Sequence, residues 1–124
     1  MDIKALYPRL VVEGADKALA FYAAAFGGVT SERHTGPDGR VVHAMVTAGS
    51  VRFAVKDAGD GDPAPAGGMP VIMALDVTDA DVVAKRMIDA GATVIYPVDD
   101  HEYGRGGRLQ DPFGHQWMVF EEPA

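Results

Sequence analysis

The chain has 124 residues, and 18 acidic against 11 basic side chains give it a formal charge of −7 and a pI near 4.8. Hydrophobic residues make up 48% and charged residues 23%, which sets it apart from disordered chains and predicts one compact domain with a real core. The acidic balance and the scattered basic residues argue against a nucleic-acid partner, and the lack of cysteine removes disulfides, thiolate metal sites and a cysteine nucleophile.

The opening residues show no charged n-region, apolar run or cleavage site, so the chain reads as cytoplasmic. No apolar stretch approaches the roughly 18–20 residues of a membrane helix. Residues 6–12 read as a strand stopped by Glu13-Gly14. From Ala15 the period changes, and Ala15, Leu19, Tyr22 and Phe26 form the stripe of an amphipathic helix that Gly27-Gly28 ends. Residues 29–33 and 40–48 read as strands around the turn at 36–39, and 51–56 as another strand after the two-residue loop Gly49-Ser50. Residues 57–70, rich in Gly, Pro, Ala and Asp, read as an exposed linker whose Asp57, Asp60 and Asp62 lack the register of a calcium loop.

Beyond the linker, residues 71–77 read as a strand, and Thr78 as the cap of a helix that buries Val83, Met87 and Ala90. Residues 93–98, 107–110 and 116–121 supply three more strands, the last after the turn at 111–114. The polar, Gly-rich stretch 99–107 reads as a mobile lid. Both halves therefore read βαβββ, with module 1 at 1–56, the linker at 57–70 and module 2 at 71–124. A shift of 65 residues puts Val77 on Val12, Asp81 on Asp16 and Gly114 on Gly49, whereas Gly27 and Gly91 differ by 64. An internal duplication explains both halves. No hydrolase elbow, phosphate loop or dinucleotide fingerprint occurs.

Four stretches carry a resemblance: LVVEGADKALAFYAAAFGG (10–28), GRVVHAMVTAGS (39–50), DAGATVIYPVDD (89–100) and RLQDPFGHQWMVF (108–120). They resemble the vicinal oxygen chelate superfamily of glyoxalases, bleomycin-resistance proteins and extradiol dioxygenases, and within it the bacterial single-domain glyoxalase-like branch. The resemblance implies an α+β fold in which two βαβββ modules form a curled mixed-sheet cup with helices on the outside. It also implies that the four metal positions of the enzymes fall at Tyr7, Phe53, Ile72 and Met118, where 72 − 7 and 118 − 53 both give 65. None of the four, and none of their neighbours, is a histidine or carboxylate, so no metal and no cofactor are expected and the cup should be apolar and aromatic.

In that reading Tyr7, Arg9, Phe53, Ile72 and Met118 bind the ligand and Tyr103 with Arg105 closes over it. His43 and Tyr7 are candidates for acid–base catalysis, beside a structural reading of His43. His115 and His34 read as structural, His115 through local hydrogen bonds. The expected function is metal-independent binding or sequestration of a small apolar or aromatic metabolite or antibiotic. The alternative is a glyoxalase-like lyase, isomerase or dioxygenase, with an unrecognised metal site or metal-free acid–base chemistry. The resemblance further implies a homodimer, and one helix per module leaves sheet surface for a second copy to cover.

Overall fold

A computed structural model of the chain describes residues 1–68 and 70–121; Met69 of the linker and residues 122–124 of module 2 lie outside them. The elements run β1 (Arg9–Val12), α1 (Ala15–Phe26), β2 (Val29–Thr35), β3 (Val41–Ala48), β4 (Val51–Asp57), β5 (Ile72–Asp76), α2 (Ala80–Asp89), β6 (Thr93–His101), β7 (Gly104–Gln110) and β8 (Gln116–Glu121). They build two four-stranded sheets, β1-β4-β3-β2 and β5-β8-β7-β6. In each, the first strand pairs parallel with the last, and the other pairings are antiparallel. The fold is thus α+β with two similar βαβββ modules. Its two sheets are separate, and neither closes on itself. No described helix is long and apolar enough to cross a membrane.

Strand alternation gives each sheet one face toward the helices. Leu10, Val12, Val46, Phe53 and Val55 of the first sheet meet Leu109, Trp117 and Val119 of the second around Phe21, Tyr22, Ala84 and Met87 in one core. The Phe53 and Trp117 rings lie 5.3 Å apart, and Tyr22 sits 5.0 Å from Phe53 and 5.7 Å from Trp117. The opposite face of each sheet carries no helix.

Both helices start against a carboxylate from the end of their own sheet. Asp57 Oδ1 accepts from the Ala15 N–H at 2.7 Å, and its Oδ2 from the Val41 N–H at 2.8 Å. Glu121 Oε2 accepts from the Ala80 N–H at 2.8 Å. Each negative group faces the positive end of a helix dipole and satisfies an N–H that the helix cannot. Asp57 therefore ends β4 instead of opening a linker. In α2 the cap is Asp79, which accepts from the Val82 N–H at 3.2 Å, and not Thr78 one residue earlier.

The turn at 111–114 locks the modules together. Asp111 is 2% exposed, and its Oδ2 accepts from the Tyr22 hydroxyl at 2.6 Å and from Trp117 Nε1 at 2.8 Å. Its Oδ1 accepts from the Phe113 and His115 backbone N–H groups at 2.9 and 3.1 Å. Four donors compensate the buried carboxylate. Burial, and then the charge of Asp111, hold the Tyr22 phenol well above the usual tyrosine range. His115 does more than bond locally: its Nε2 lies 2.9 Å from the Val11 carbonyl of β1. A carbonyl only accepts, so Nε2 carries the proton.

Several strand limits differ from the sequence reading. β1 starts at Arg9 because only from there does it pair with β4, beginning at Arg9 opposite Ala54. β2 runs on to Thr35 through an irregular register. The largest difference is at 99–107, which is no lid: β6 continues to His101 and β7 starts at Gly104, leaving Glu102-Tyr103 as a tight hairpin turn. Glycines there signalled a loop, yet they are what lets three strands close up. A Cβ on Gly106 would stand 2.6 Å from the Val119 carbonyl oxygen, and one on Gly107 would stand 2.7 Å from that of Tyr96.

Candidate ligand-binding site

The helix-free face of the first sheet is polar. Arg9 Nη1 lies 3.0 Å from His43 Nδ1 and its Nη2 donates to the Val42 carbonyl at 2.9 Å. Arginine only donates, so His43 Nδ1 accepts and Nε2 bears the proton. His34 stacks on His43 with centroids 6.3 Å apart, and Lys56 Nζ pairs with Asp62 at 2.7 Å. Tyr7, ahead of β1, has the Arg52 guanidinium 4.7 Å over its ring.

The helix-free face of the second sheet differs in kind. It holds a hollow of about 280 Å³ lined by Tyr96, His101, Tyr103, Met118 and Phe120, with Arg108 and Asp99 as its charged members. Strand pairing explains the grouping: Arg108 stands opposite Met118, Gly106 opposite Phe120 and Tyr96 opposite Arg108. His101 and Tyr103 stack at 5.1 Å with an interplanar angle of 3°, and Tyr103 reaches Phe120 at 5.8 Å.

The residues expected to bind a ligand therefore do not converge. Met118 and Tyr103 line the hollow. Ile72 shares their face by pairing with Gln116, but lies outside the lining. Arg9 and His43 belong to the first sheet, and Tyr7 precedes its first strand. Phe53 is in the core, 3% exposed. Its misplacement has a simple cause. Ala74 pairs with Met118 as Arg9 pairs with Ala54, so β1 and β5 are related by 74 − 9 = 65 but β4 and β8 by 118 − 54 = 64. The counterpart of Met118 is Ala54, and the 64-residue spacing of Gly27 and Gly91 was the signal that the shift had slipped.

Arg105 also points elsewhere. On β7 it alternates with Gly106 and faces α2, where Nε and Nη2 donate to Asp81 at 2.9 and 3.0 Å and Nη1 to Asp100 at 3.1 Å. Those carboxylates hold its guanidinium above the ordinary arginine range, and Arg105 in turn holds the Asp81 carboxyl below the usual one. It is a strut between hairpin and helix. Sequence reasoning missed Tyr96, Arg108 and Phe120; Phe120 was within reach, being two residues beyond Met118 on one strand and so on the same face.

The four positions that the resemblance implies for metal ligands do not fit a divalent ion. They offer a phenol, an alkyl chain and a thioether, with Phe53 turned into the core and Ala54 in register with Met118. Among the described residues no three His, Asp or Glu side chains are grouped to hold a metal.

The family model for the Glyoxalase/Bleomycin resistance protein/Dioxygenase superfamily matches residues 4–119. An uncharacterized protein of Mycobacterium bovis is 39% identical over 93% of this chain and 81% of its own length. The solved structure of a hypothetical protein from S. aureus, SA1046, superposes with a TM-score of 0.78 at 16% identity, covering 98% of this chain and 95% of that one. A glyoxalase/bleomycin resistance protein/dioxygenase family enzyme from Burkholderia phytofirmans PsJN gives a TM-score of 0.74 at 18% identity, covering 94% of this chain and 97% of that one.

Proposed function

The chain belongs to the Glyoxalase/Bleomycin resistance protein/Dioxygenase superfamily, and from that premise we propose that it is a cytoplasmic, metal-independent protein that binds or sequesters a small aromatic metabolite or antibiotic. One observation carries the reading: the hollow on the second sheet has aromatic walls, from Tyr96, Tyr103 and Phe120, over a Met118 floor. Flat π-faces and a polarizable thioether favour a planar aromatic guest. The donor chemistry at the family's metal positions supports metal independence. His43 and Tyr7, the candidates for acid–base work, belong to the other module, which favours binding over catalysis within one chain.

The proposal extends to a homodimer in which the helix-free faces of two copies cover one another. Tyr96 and Tyr103 are 60% and 64% exposed, more than an isolated domain gains by leaving aromatic surface wet. Charge opposes pairing only weakly, since roughly 8 Å screening at physiological salt blunts it. Light scattering at micromolar concentration is expected to return about twice the 13.1 kDa chain mass; a single-chain mass that persists on concentrating rejects the dimer. For binding, a panel of aromatic antibiotics and natural products should include compounds that raise the Tm, and Phe120→Ala should weaken them. Chelator should leave Tm and binding unchanged. Silence across the panel with folded protein rejects the binding reading, and a tightly held metal whose removal destabilises the protein rejects metal independence.

A further inference from the structure

The hollow is not uniformly apolar, and its polar groups are set apart in an ordered way. Arg108 stands on the floor beside Met118 with its guanidinium 5.4 Å from the Tyr96 centroid. Among the described residues it forms no ion pair, and its Nε is shut from solvent with no acceptor. A guanidinium is always charged and only donates, so this cation lacks what every other buried donor discussed above has. Arg105, three residues away on the opposite face, is satisfied by two carboxylates. The contrast leaves Arg108, which lines the hollow, without an acceptor from its own chain.

Gly106, two residues along β7 from Arg108 on the same face, lies between Asp99 on one neighbour strand and Phe120 on the other. The step between them is about 7 Å along the strand. Gly106 has no side chain and the Phe120 ring packs over it, since a Cβ there would stand 3.3 Å from Phe120 Cδ2, so that ring floors the span. Beyond it stands the Asp99 carboxylate, which lines the hollow and whose Oδ1 accepts from the Asp100 N–H at 2.8 Å. The hollow therefore carries a cation and an anion on either side of an aromatic floor, an arrangement that matches a benzene ring with an acceptor at one end and a donor at the other.

We propose that the hollow takes an aromatic acid bearing a hydroxyl or amino group at the far end of its ring. The carboxylate accepts from Arg108, the ring lies against the Phe120 ring, and the far group donates to Asp99. Asp99 also sets the orientation, because it repels the carboxylate from its own end. This inference rests on the aromatic-binding reading and adds the ligand's charge and polarity to it.

Calorimetric titration of the full chain with 4-hydroxybenzoate, its neutral amide 4-hydroxybenzamide, and benzoate tests it. The acid is expected to bind about tenfold or more tightly than the amide, as a charge-assisted contact with arginine should give. Benzoate should bind several-fold more weakly than 4-hydroxybenzoate. Arg108→Met should abolish the preference for acid over amide and spare the amide, and Asp99→Ala should abolish the preference for the hydroxyl. The comparison on the unaltered chain stands even if a variant fails to fold. Equal affinity for acid and amide overturns the inference and leaves the aromatic-binding reading standing. Failure of the acid to bind at millimolar concentration while other aromatic compounds bind overturns it too, and silence of every compound overturns both.

Discussion

In module 1 an aspartate in the first turn of α1, Asp16, receives Nε and Nη2 of Arg33 from β2 at 2.9 Å each. In module 2 its counterpart 65 residues on, Asp81, receives Nε and Nη2 of Arg105, but from β7. Asp57 and Glu121, each at the end of its module's last strand, both hold the first helical N–H, and Phe53 and Trp117 meet in the core. On the helix side the two copies thus keep the same contacts, sometimes from a different strand. On the other side they part. β3 reads Val-Val-His-Ala-Met and leaves a polar face, whereas β7 reads Gly-Arg-Gly-Gly-Arg and leaves a hollow. A packed face tolerates little change without losing stability, while the uncovered face is free to diverge.

The comparison is broken most severely at the turn that has no equal in module 1. Asp111→Ala leaves the Tyr22 hydroxyl and Trp117 Nε1 buried without an acceptor and frees the turn's backbone donors. We expect a loss of about 3–5 kcal/mol in urea unfolding, while Ser50→Ala at the corresponding hairpin of module 1 stays within about 0.5 kcal/mol. Equal losses at the two turns would show that the lock does not lie in Asp111. Next in size, Gly107→Ala drives a methyl toward the Tyr96 carbonyl and the Val98 nitrogen, at 2.7 and 2.8 Å. It should cost about 1–3 kcal/mol, because β6 and β7 must move apart.

The helices, the turns and the duplication were legible because they rest on short-range signals: the stripe from Ala15 to Phe26, the glycines after it, and Asp-Pro-Phe-Gly. The hollow was not, because glycine has no strand signature and the neighbouring strands leave no room for a side chain at Gly104, Gly106 and Gly107. Two expected site residues were misplaced, for different reasons. A one-residue slip moves a strand side chain from one face to the other, so a shift of 65 where 64 applies put Phe53 in the cup, while Arg105 was read as part of a closing lid and lies instead on β7 against α2. Phe53 and Ala54 alike lack a metal donor, so the slip changed the face and not the donor chemistry expected at that position.

Tyr22→Phe sharpens the lock more gently. It removes one of four donors from Asp111, and we expect about 1–2 kcal/mol. It also carries a pH signature. The folded Tyr22 phenol titrates well above the ordinary value of 10.0, so above that pH the unfolded chain gives up a proton that the folded chain keeps. Its contribution is therefore complete at neutral pH and falls as pH rises past about 10. In unfolding measured from pH 8 to 11, the wild type should lose stability more steeply than Tyr22→Phe. Parallel curves would mean that the phenol is not held by the Asp111 cluster.

The smallest effects test the pair of clasps with which the comparison began. Asp16 and Asp81 have carboxyls held below the usual range, chiefly by the hydrogen bonds from Arg33 and Arg105. Their contribution is present above the ordinary carboxylate pKa and is lost as pH falls through the lowered one. Both pairs lie at the surface, with aspartate side chains 65% and 57% exposed, so solvent takes most of their attraction. Arg33→Gln and Arg105→Gln should each lower Tm by less than Tyr22→Phe does. Arg105→Gln should have the larger effect, because it also releases Asp100 and loosens the hairpin that walls the hollow. In 1 M salt, where screening acts within about 3 Å, the two variants should converge on the wild type. If Arg105→Gln keeps its full deficit in high salt, the clasp holds through the packing of its side chain against α2, and the likeness of the two modules at this point is one of shape and not of charge.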